Sequence, residues 1–497
     1  MPAPAGSTEE AGVARPRRRP PAAGDSAPRW HSGLAGSCVR QAGRVRNPMF
    51  VPDDQLASLI FEYCQERLAL DPVDLDLPGD KAELDKALDG VLGPRPQDPA
   101  SILKLFAEQL APAVISCDSP RFLAFIPAAP TKASLLFDMV VSCSSLQGTS
   151  WLEAAGAVAA ENQALRLLAD MAGLPSSAGG CFVSGGSAGN LSALVVARET
   201  GAHRLGTGSP ARLRVAVSDQ AHSSIVNALR VIGMDALVVN TDDHRFTGAA
   251  LEEALATDAD PASVVAVVAT AGTTNAGIID DLASVSVVAE SRRLWLHVDA
   301  AYGGAALFAP SARDRFAGIE RADSFVVDPH KWLFAPFDCA ALIYRHPQLA
   351  RAVHTQDASY LDVLHTEAPD EWNPSDYAYH LTRRARGLPL WFSLAVNGTD
   401  AYRDAVEAAL ELARLTAALI EDTPHLELLL PPELSVVLYR RTGWAAEDYY
   451  AWSAKLLADQ IGFVTPTKWE GDTVARLAFL HPDTTLDIVE EILATMA

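Results

Sequence analysis

Ser324-Phe-Val-Val-Asp-Pro-His-Lys-Trp332 sets a lysine directly behind a short apolar run. Phe325, Val326 and Val327 read as a buried strand, and Asp328-Pro329 breaks it. His330 and Lys331 then stand at the strand's end, followed by Trp332, Leu333 and Phe334. Desolvation among such neighbours disfavours an ammonium group, and the neutral amine is the form that condenses with an aldehyde. A lysine after a strand is otherwise an ordinary snorkelling surface residue. The flanking chain decides between the two readings.

Outward from this stretch, residues 120–345 alternate strand-like and helix-like segments. Strands are predicted at 180–184, 213–218, 235–239, 264–270, 294–298, 324–327 and 340–344. Such alternation implies an α/β fold with a mostly parallel sheet, in which chemistry gathers at the carboxyl ends of the strands. Residues 49–119 read as a helical arm, with Leu56, Leu59, Ile60, Tyr63 and Cys64 on one face and a second amphipathic segment over 99–110. Residues 346–385 form a polar loop and linker with the composition of a mobile active-site lid. Residues 386–497 make a small α+β C-terminal domain that includes a long helix over 400–420. The first 48 residues, rich in Pro, Ala, Gly and Arg, read as a disordered leader without the apolar core of a secretory signal.

Composition narrows the function. A net charge of −22 argues against nucleic acid and anionic membrane surfaces as partners. Six cysteines without a Cys-x-x-Cys pair suggest neither a metal site nor a disulfide framework, which fits a cytoplasmic protein. The apolar runs are too short and broken to span a membrane.

Further pieces fall at strand ends. Ser184-Gly-Gly-Ser-Ala-Gly-Asn190 joins a strand to a helix: Gly186 and Ser187 let an anion approach a helix N-terminus, or simply make a tight turn. Neither a Gly-Lys-Ser nor a Gly-x-Gly-x-x-Gly spacing is present, which points to a single phosphate. In His297-Val-Asp-Ala-Ala-Tyr302, Asp299 ends a strand where a carboxylate needs a cationic partner, such as a protonated pyridine nitrogen, or else caps the next helix. Ala301 is small enough for a flat ring to lie against it. His222 stacks on such a ring, acts as acid or base, or satisfies local hydrogen bonds. Thr274 offers a hydroxyl at a fourth strand end. Tyr360, in the polar loop, delivers a proton or anchors packing.

Together these residues resemble the group II pyridoxal-5′-phosphate-dependent amino-acid decarboxylases, and in particular the aromatic L-amino-acid decarboxylases. The resemblance runs from about Met49 to Ala497 and rests most firmly on Asp328-Pro-His-Lys-Trp-Leu333, Phe337-Asp-Cys339 and His297-Val-Asp-Ala-Ala-Tyr302. It implies a fold type I transferase architecture with a seven-stranded sheet. It also implies a homodimer with active sites at the subunit interface. Lys331 would carry the cofactor as a covalent aldimine. Asp299 would pair with the pyridine nitrogen, Ala301 pack on one ring face, and His222 stack on the other and contact substrate. Gly186, Ser187, Asp328 and His330 would face the phosphate, with Thr274 lining the pocket. Tyr360 would protonate the substrate carbon, and Pro127 and Ala128 would lie on the substrate side.

Two departures stand out. Ala128 replaces a usual threonine, and Asp328 replaces a common asparagine. Gln147 and Thr149 also make one wall more polar. The resemblance implies decarboxylation of tryptophan, tyrosine, phenylalanine or Dopa. Alternatives are a non-aromatic amino acid, an aldehyde synthase on the same scaffold (against which Tyr360 argues), and a non-catalytic binding protein.

Overall fold

The computed structural model describes residues 47–126, 129–206, 212–364 and 371–497, leaving aside the side chains of Pro48, Tyr360 and Asp362. The expected leader, and the substrate-side pair Pro127 and Ala128, therefore lie outside the described residues. Two compact units divide the chain, Met1–Asp54 and Gln55–Ala497. All of the site lies in the second.

Three helices come first: α1 (Asp54–Leu68), α2 (Lys81–Leu88) and α3 (Pro99–Leu105), the last running into a π-helical turn at Phe106–Leu110. Asp80 and Asp98 cap α2 and α3 by accepting backbone N–H groups, as short acidic side chains do at helix starts. None of the three helices buries a residue. The apolar face expected on α1 is present and is only partly covered by the described residues, with Tyr63 edge-on to Phe106. Two longer helices follow, α4 (Lys132–Cys143) and α5 (Trp151–Met171).

The large sheet has the strands β1 (Gly179–Val183), β2 (Arg214–Ser218), β3 (Asp235–Val239), β4 (Val264–Thr270), β5 (Trp295–Asp299), β6 (Ser324–Val327) and β7 (Ala340–Tyr344). Each falls within one residue of its expected position. Their spatial order is β1-β7-β6-β5-β4-β2-β3, and β7 runs antiparallel to both of its neighbours while the other pairs are parallel. Every residue of β4 and β5 is buried, as in a sheet covered by helices on both faces. Those helices include α6 (Gly186–Leu205), α7 (Ser223–Ile232), α8 (Gly248–Thr257) and α9 (Leu282–Arg292). At Gly189 of α6 a Cβ would come within 2.6 Å of Val326 Cγ2, so only glycine lets the helix lie this close to β6.

After two short helices, α10 (Pro310–Arg313) and α11 (Pro347–His354), the chain enters α12 (Leu388–Glu421). The Ala- and Leu-rich stretch predicts this helix only over 400–420, whereas it starts at Leu388. In the structure Gly398 adopts φ 76° and the helical segments continue on both sides of it. An antiparallel sheet follows, ordered β10-β11-β9-β8 and built from β8 (Leu426–Leu428), β9 (Val436–Arg441), β10 (Thr467–Trp469) and β11 (Asp472–Ala478). Helices α13 (Ala446–Ala458) and α14 (Leu486–Ala494) accompany it. A fully buried ion pair joins α5 to the segment before α12. Arg383 donates to both carboxylate oxygens of Glu161 at 2.7 and 2.8 Å, and Gly387 N–H donates to the same carboxylate. No helix among the described residues is long and apolar enough to cross a membrane.

Candidate active site

The turn after β6 is pinned from several sides. Lys331 N–H donates to Asp328 O, Ala335 N–H to Pro329 O, and His330 N–H to Cys339 O across the start of β7. His330 Nδ1 in turn accepts the Cys339 N–H at 2.9 Å, which leaves Nε2 to carry the proton of the neutral ring. Burial holds the His330 pKa below its ordinary value. Trp332 and Phe334 turn into the core, and Trp332 stacks on Tyr302.

Here the structure corrects one expectation. The lysine amine is not enclosed by those aromatics. It meets a carboxylate, with Lys331 Nζ 3.0 Å from Asp328 Oδ2 and a quarter of its side chain exposed. The aromatics pack behind the turn because they are apolar, and the lysine is left lining a polar cavity in front of it.

That cavity, of about 580 Å³, is lined by Gly186, Ser187, His222, Thr274, Asp299, Ala301, Asp328, His330 and Lys331. Nine residues predicted from scattered motifs thus converge at the carboxyl ends of β1, β2, β4, β5 and β6. A larger cavity of about 870 Å³, bordered by Asp71, Arg121, Lys132 and His481, contains none of them and gathers no comparable chemistry. Tyr360 lies in a 3₁₀ turn, Ser359–Leu364, with its side chain outside the described part of the structure.

Two ends of the cavity differ in character. At one end α6 begins, and Gly186 N–H donates to Asp328 Oδ2 at 3.1 Å. A Cβ at Gly186 would lie 2.9 Å from that oxygen and 3.1 Å from Ala301 Cβ, so the close approach demands glycine. Asp328 is almost wholly buried, yet its Oδ1 has no hydrogen-bond partner among the described residues. Thr270 Oγ1, of a residue that lines the same cavity, is likewise buried and unpartnered among the described residues. At the other end Asp299 closes β5. Its Oδ1 accepts Ala301 N–H at 3.1 Å and its Oδ2 accepts Asn190 Nδ2 at 2.9 Å. His222 caps α7, with Nδ1 accepting Ser224 N–H at 3.2 Å. It thus makes the local hydrogen bond and lines the cavity as well.

The residues suit a flat, phosphorylated, cationic ring. The start of α6 with His330 suits an anion and the Asp299 carboxylate suits a ring N–H, while Thr270 Oγ1 and Asp328 Oδ1, on residues lining the cavity, are buried and unpartnered among the described residues. The Asp328 carboxylate is the exception, since it already takes one of the helix's N–H groups.

Residues 82–442 match the family model described as the pyridoxal-dependent decarboxylase conserved domain. The chain belongs to the pyridoxal-dependent decarboxylase family. It is a pyridoxal-phosphate-dependent amino-acid decarboxylase, a carbon–carbon lyase. Among relatives, the enzyme is 32% identical to an aromatic-L-amino-acid decarboxylase of Bacillus atrophaeus over 411 residues, 80% of this chain and 84% of that one. It is 31% identical to an L-2,4-diaminobutyrate decarboxylase of Rhizobium meliloti (strain 1021), over 81% of this chain and 83% of the other. The crystal structure of Oryza sativa TDC with PLP and tryptamine superposes with a TM-score of 0.84 at 26% identity, covering 91% of this chain and 99% of that one.

Several residues of the decarboxylase site were not singled out by sequence. Asn190 lies four residues into α6 from Gly186, a spacing that puts both on one helix face. Tyr379 borders the cavity, with more than half of its surface exposed. Arg476, on β11, is buried without a carboxylate and donates to the carbonyls of Thr274, Asn275 and Phe125 at 2.6, 3.1 and 2.9 Å. Burial lowers its pKa to about 10. It fixes the Thr274 loop from a strand 200 residues away in sequence, and no local pattern announces such a contact.

Proposed function

We propose that the enzyme decarboxylates an aromatic L-amino acid, with Lys331 as the amine that holds the cofactor covalently. The observation that carries the aromatic reading is the cavity lining. It contains no arginine and a single lysine, Lys331, among the described residues, while the Tyr379 ring stands exposed at its edge. A substrate with a side-chain carboxylate would lack a cation to meet it. The carboxylates that could meet a side-chain ammonium, Asp299 and Asp328, are already engaged.

Pyridoxal phosphate supplies, when bound, the electron sink for the pair released as the Cα–carboxylate bond breaks. The chain's residues do the rest. Asp299, fixed by Asn190 and Ala301, holds a negative charge against the ring nitrogen and keeps a proton there. Ala301 and His222 hold the ring. Gly186, Ser187, His330 and the N-terminus of α6 hold the phosphate, beside Asp328, and Thr274 lines the pocket. Pro127, Ala128 and His222 form the substrate side. Tyr360 gives its proton to the α-carbon once CO₂ has left, and Lys331 must first exchange its ion pair with Asp328 to act as an amine.

The functional unit in this reading is a homodimer with interface active sites. Ile60, Phe61, Leu92 and Phe106 of the N-terminal segment are all more than a third exposed, an apolar surface that a second copy would cover. Light scattering on the purified protein tests this, and a monomer at micromolar concentration overturns it. The substrate is tested by CO₂ release across the amino acids. Preference for tryptophan, tyrosine, phenylalanine or Dopa supports the proposal; preference for glutamate, aspartate or 2,4-diaminobutyrate overturns it.

A further inference from the structure

We propose that Asn190 is a positioning residue whose single amide joins Asp299 to His222 and, anchored from behind by His297, fixes which nitrogen of His222 carries the proton. This rests on the reading that the Lys331 cavity holds the cofactor.

The side chains of Trp295, His297 and Asp299 alternate along β5 and so share one face of the sheet. Ser324, the first residue of β6, pairs in register with His297. Trp295 Nε1 donates to Ser324 Oγ at 2.9 Å, and Ser324 Oγ lies 2.8 Å from His297 Nδ1. His297 Nε2 lies 2.8 Å from Asn190 Oδ1. Asn190 Nδ2 then reaches both Asp299 Oδ2 at 2.9 Å and Ser224 Oγ at 3.0 Å, and Ser224 Oγ lies 2.9 Å from His222 Nδ1. Every member up to Ser224 is buried.

Donor and acceptor roles leave one consistent polarity. An amide oxygen turned toward the Asp299 carboxylate would repel it, so Asn190 presents Nδ2 there and Oδ1 to His297. His297 must therefore carry its proton on Nε2. Burial pushes its pKa down to about 4, so at neutral pH the ring is neutral and Nδ1 accepts from the Ser324 hydroxyl. The indole of Trp295 can only donate, which leaves that hydroxyl proton free for Nδ1. At the far end Asn190 Nδ2 donates to Ser224 Oγ, which turns that hydroxyl's proton toward His222 Nδ1 at 2.9 Å, a closer contact than the Ser224 N–H at 3.2 Å; Nδ1 therefore holds a lone pair and Nε2 carries the proton. His222 thus offers an N–H donor to the cavity. Two separate anchors, a carboxylate and a helix cap, impose the same direction on the chain.

Two-bond ¹H–¹⁵N correlation on cofactor-free protein labelled at histidine reads these tautomers directly, with His222→Asn and His297→Gln identifying the signals by their loss. Both rings are expected as single Nε2–H tautomers; a proton on Nδ1 of either ring in the wild type overturns the proposal. Asn190→Ala is expected to give His222 a mixture of tautomers and to lower kcat about 10- to 100-fold with little change in KM, the scale seen when an outer hydrogen-bond partner is removed. An Asn190→Ala protein with wild-type tautomers and kcat also overturns it. Should that variant not fold, Ser224→Ala interrupts the same chain and is read in the same way. A wild type that shows these tautomers yet gives no borohydride-trapped pyridoxal phosphate on Lys331 supports the hydrogen-bond chain and overturns instead the reading that the Lys331 cavity holds the cofactor.

Discussion

Lys331 Nζ lies 3.0 Å from Asp328 Oδ2, so the amine proposed to hold the cofactor is engaged by a buried carboxylate three residues before it. That carboxylate also stands at the start of α6, where the phosphate is proposed to sit. Two like charges then share one end of the cavity. Asp328→Asn keeps an acceptor for Gly186 N–H and removes the repulsion. Pyridoxal phosphate is expected to bind up to about tenfold more tightly, ~1.4 kcal/mol, in an equilibrium titration followed by protein fluorescence. Weaker binding would mean that the carboxylate itself is needed.

Lys331→Ala removes the amine and leaves the cavity. The purified wild type, reconstituted with pyridoxal phosphate, is expected to absorb in the visible with a band that borohydride abolishes. The variant is expected to lack it and to release the cofactor on dialysis. A colourless reconstituted wild type would remove the basis for assigning Lys331.

Tyr360→Phe keeps the ring and deletes the proton. Turnover is then expected to shift from amine toward aldehyde, ammonia and hydrogen peroxide, with one dioxygen consumed per aldehyde formed. An oxygen electrode run beside product analysis measures the split. An unchanged amine yield counts against Tyr360 as the donor.

Burial holds both His297 and His380 down to about 4 from an ordinary 6.5. In the unfolded chain these rings protonate near 6.5, whereas in the folded protein they stay neutral until about 4. Between those values the unfolded state binds more protons, so stability is expected to fall as pH drops through this window. Thermal melting of the cofactor-free protein from pH 7.5 to 5 should show the decline. His380→Phe should flatten it by removing one of the two rings, and His380 Nε2, buried without a partner among the described residues, gives no hydrogen bond there to lose.

All seven strands of the large sheet were legible because each is a short, largely apolar run, and in the six other than the edge strand β3 burial tolerates little else. Gly186, Asp299 and Lys331 were legible for a related reason: each stands where a strand stops, and strand ends are where such a sheet does its chemistry. The environment of Lys331 was not, since residue type alone does not tell which neighbours turn inward, and here Trp332 and Phe334 do while Asp328 faces the amine. Asn190 and Arg476 were hidden for another reason. Their importance comes from partners distant in sequence, such as Asp299 and His297 for Asn190 and Thr274 for Arg476, and no periodicity within a helix or strand encodes that.

The cavity is assembled at the ends of β1, β2, β4, β5 and β6, with Tyr379 at its edge, so its residues are scattered from Ser184 to Tyr379 and meet only when the sheet is built. An unfolded or half-folded chain has no such site. A ligand that recognises only the finished arrangement shifts the folding equilibrium by mass action, and does so more as its free concentration exceeds its dissociation constant. Cofactor supply therefore governs not only how fast the enzyme turns over but how much of it survives: when pyridoxal phosphate is scarce, the empty protein loses this stabilisation and is the form that proteases remove first.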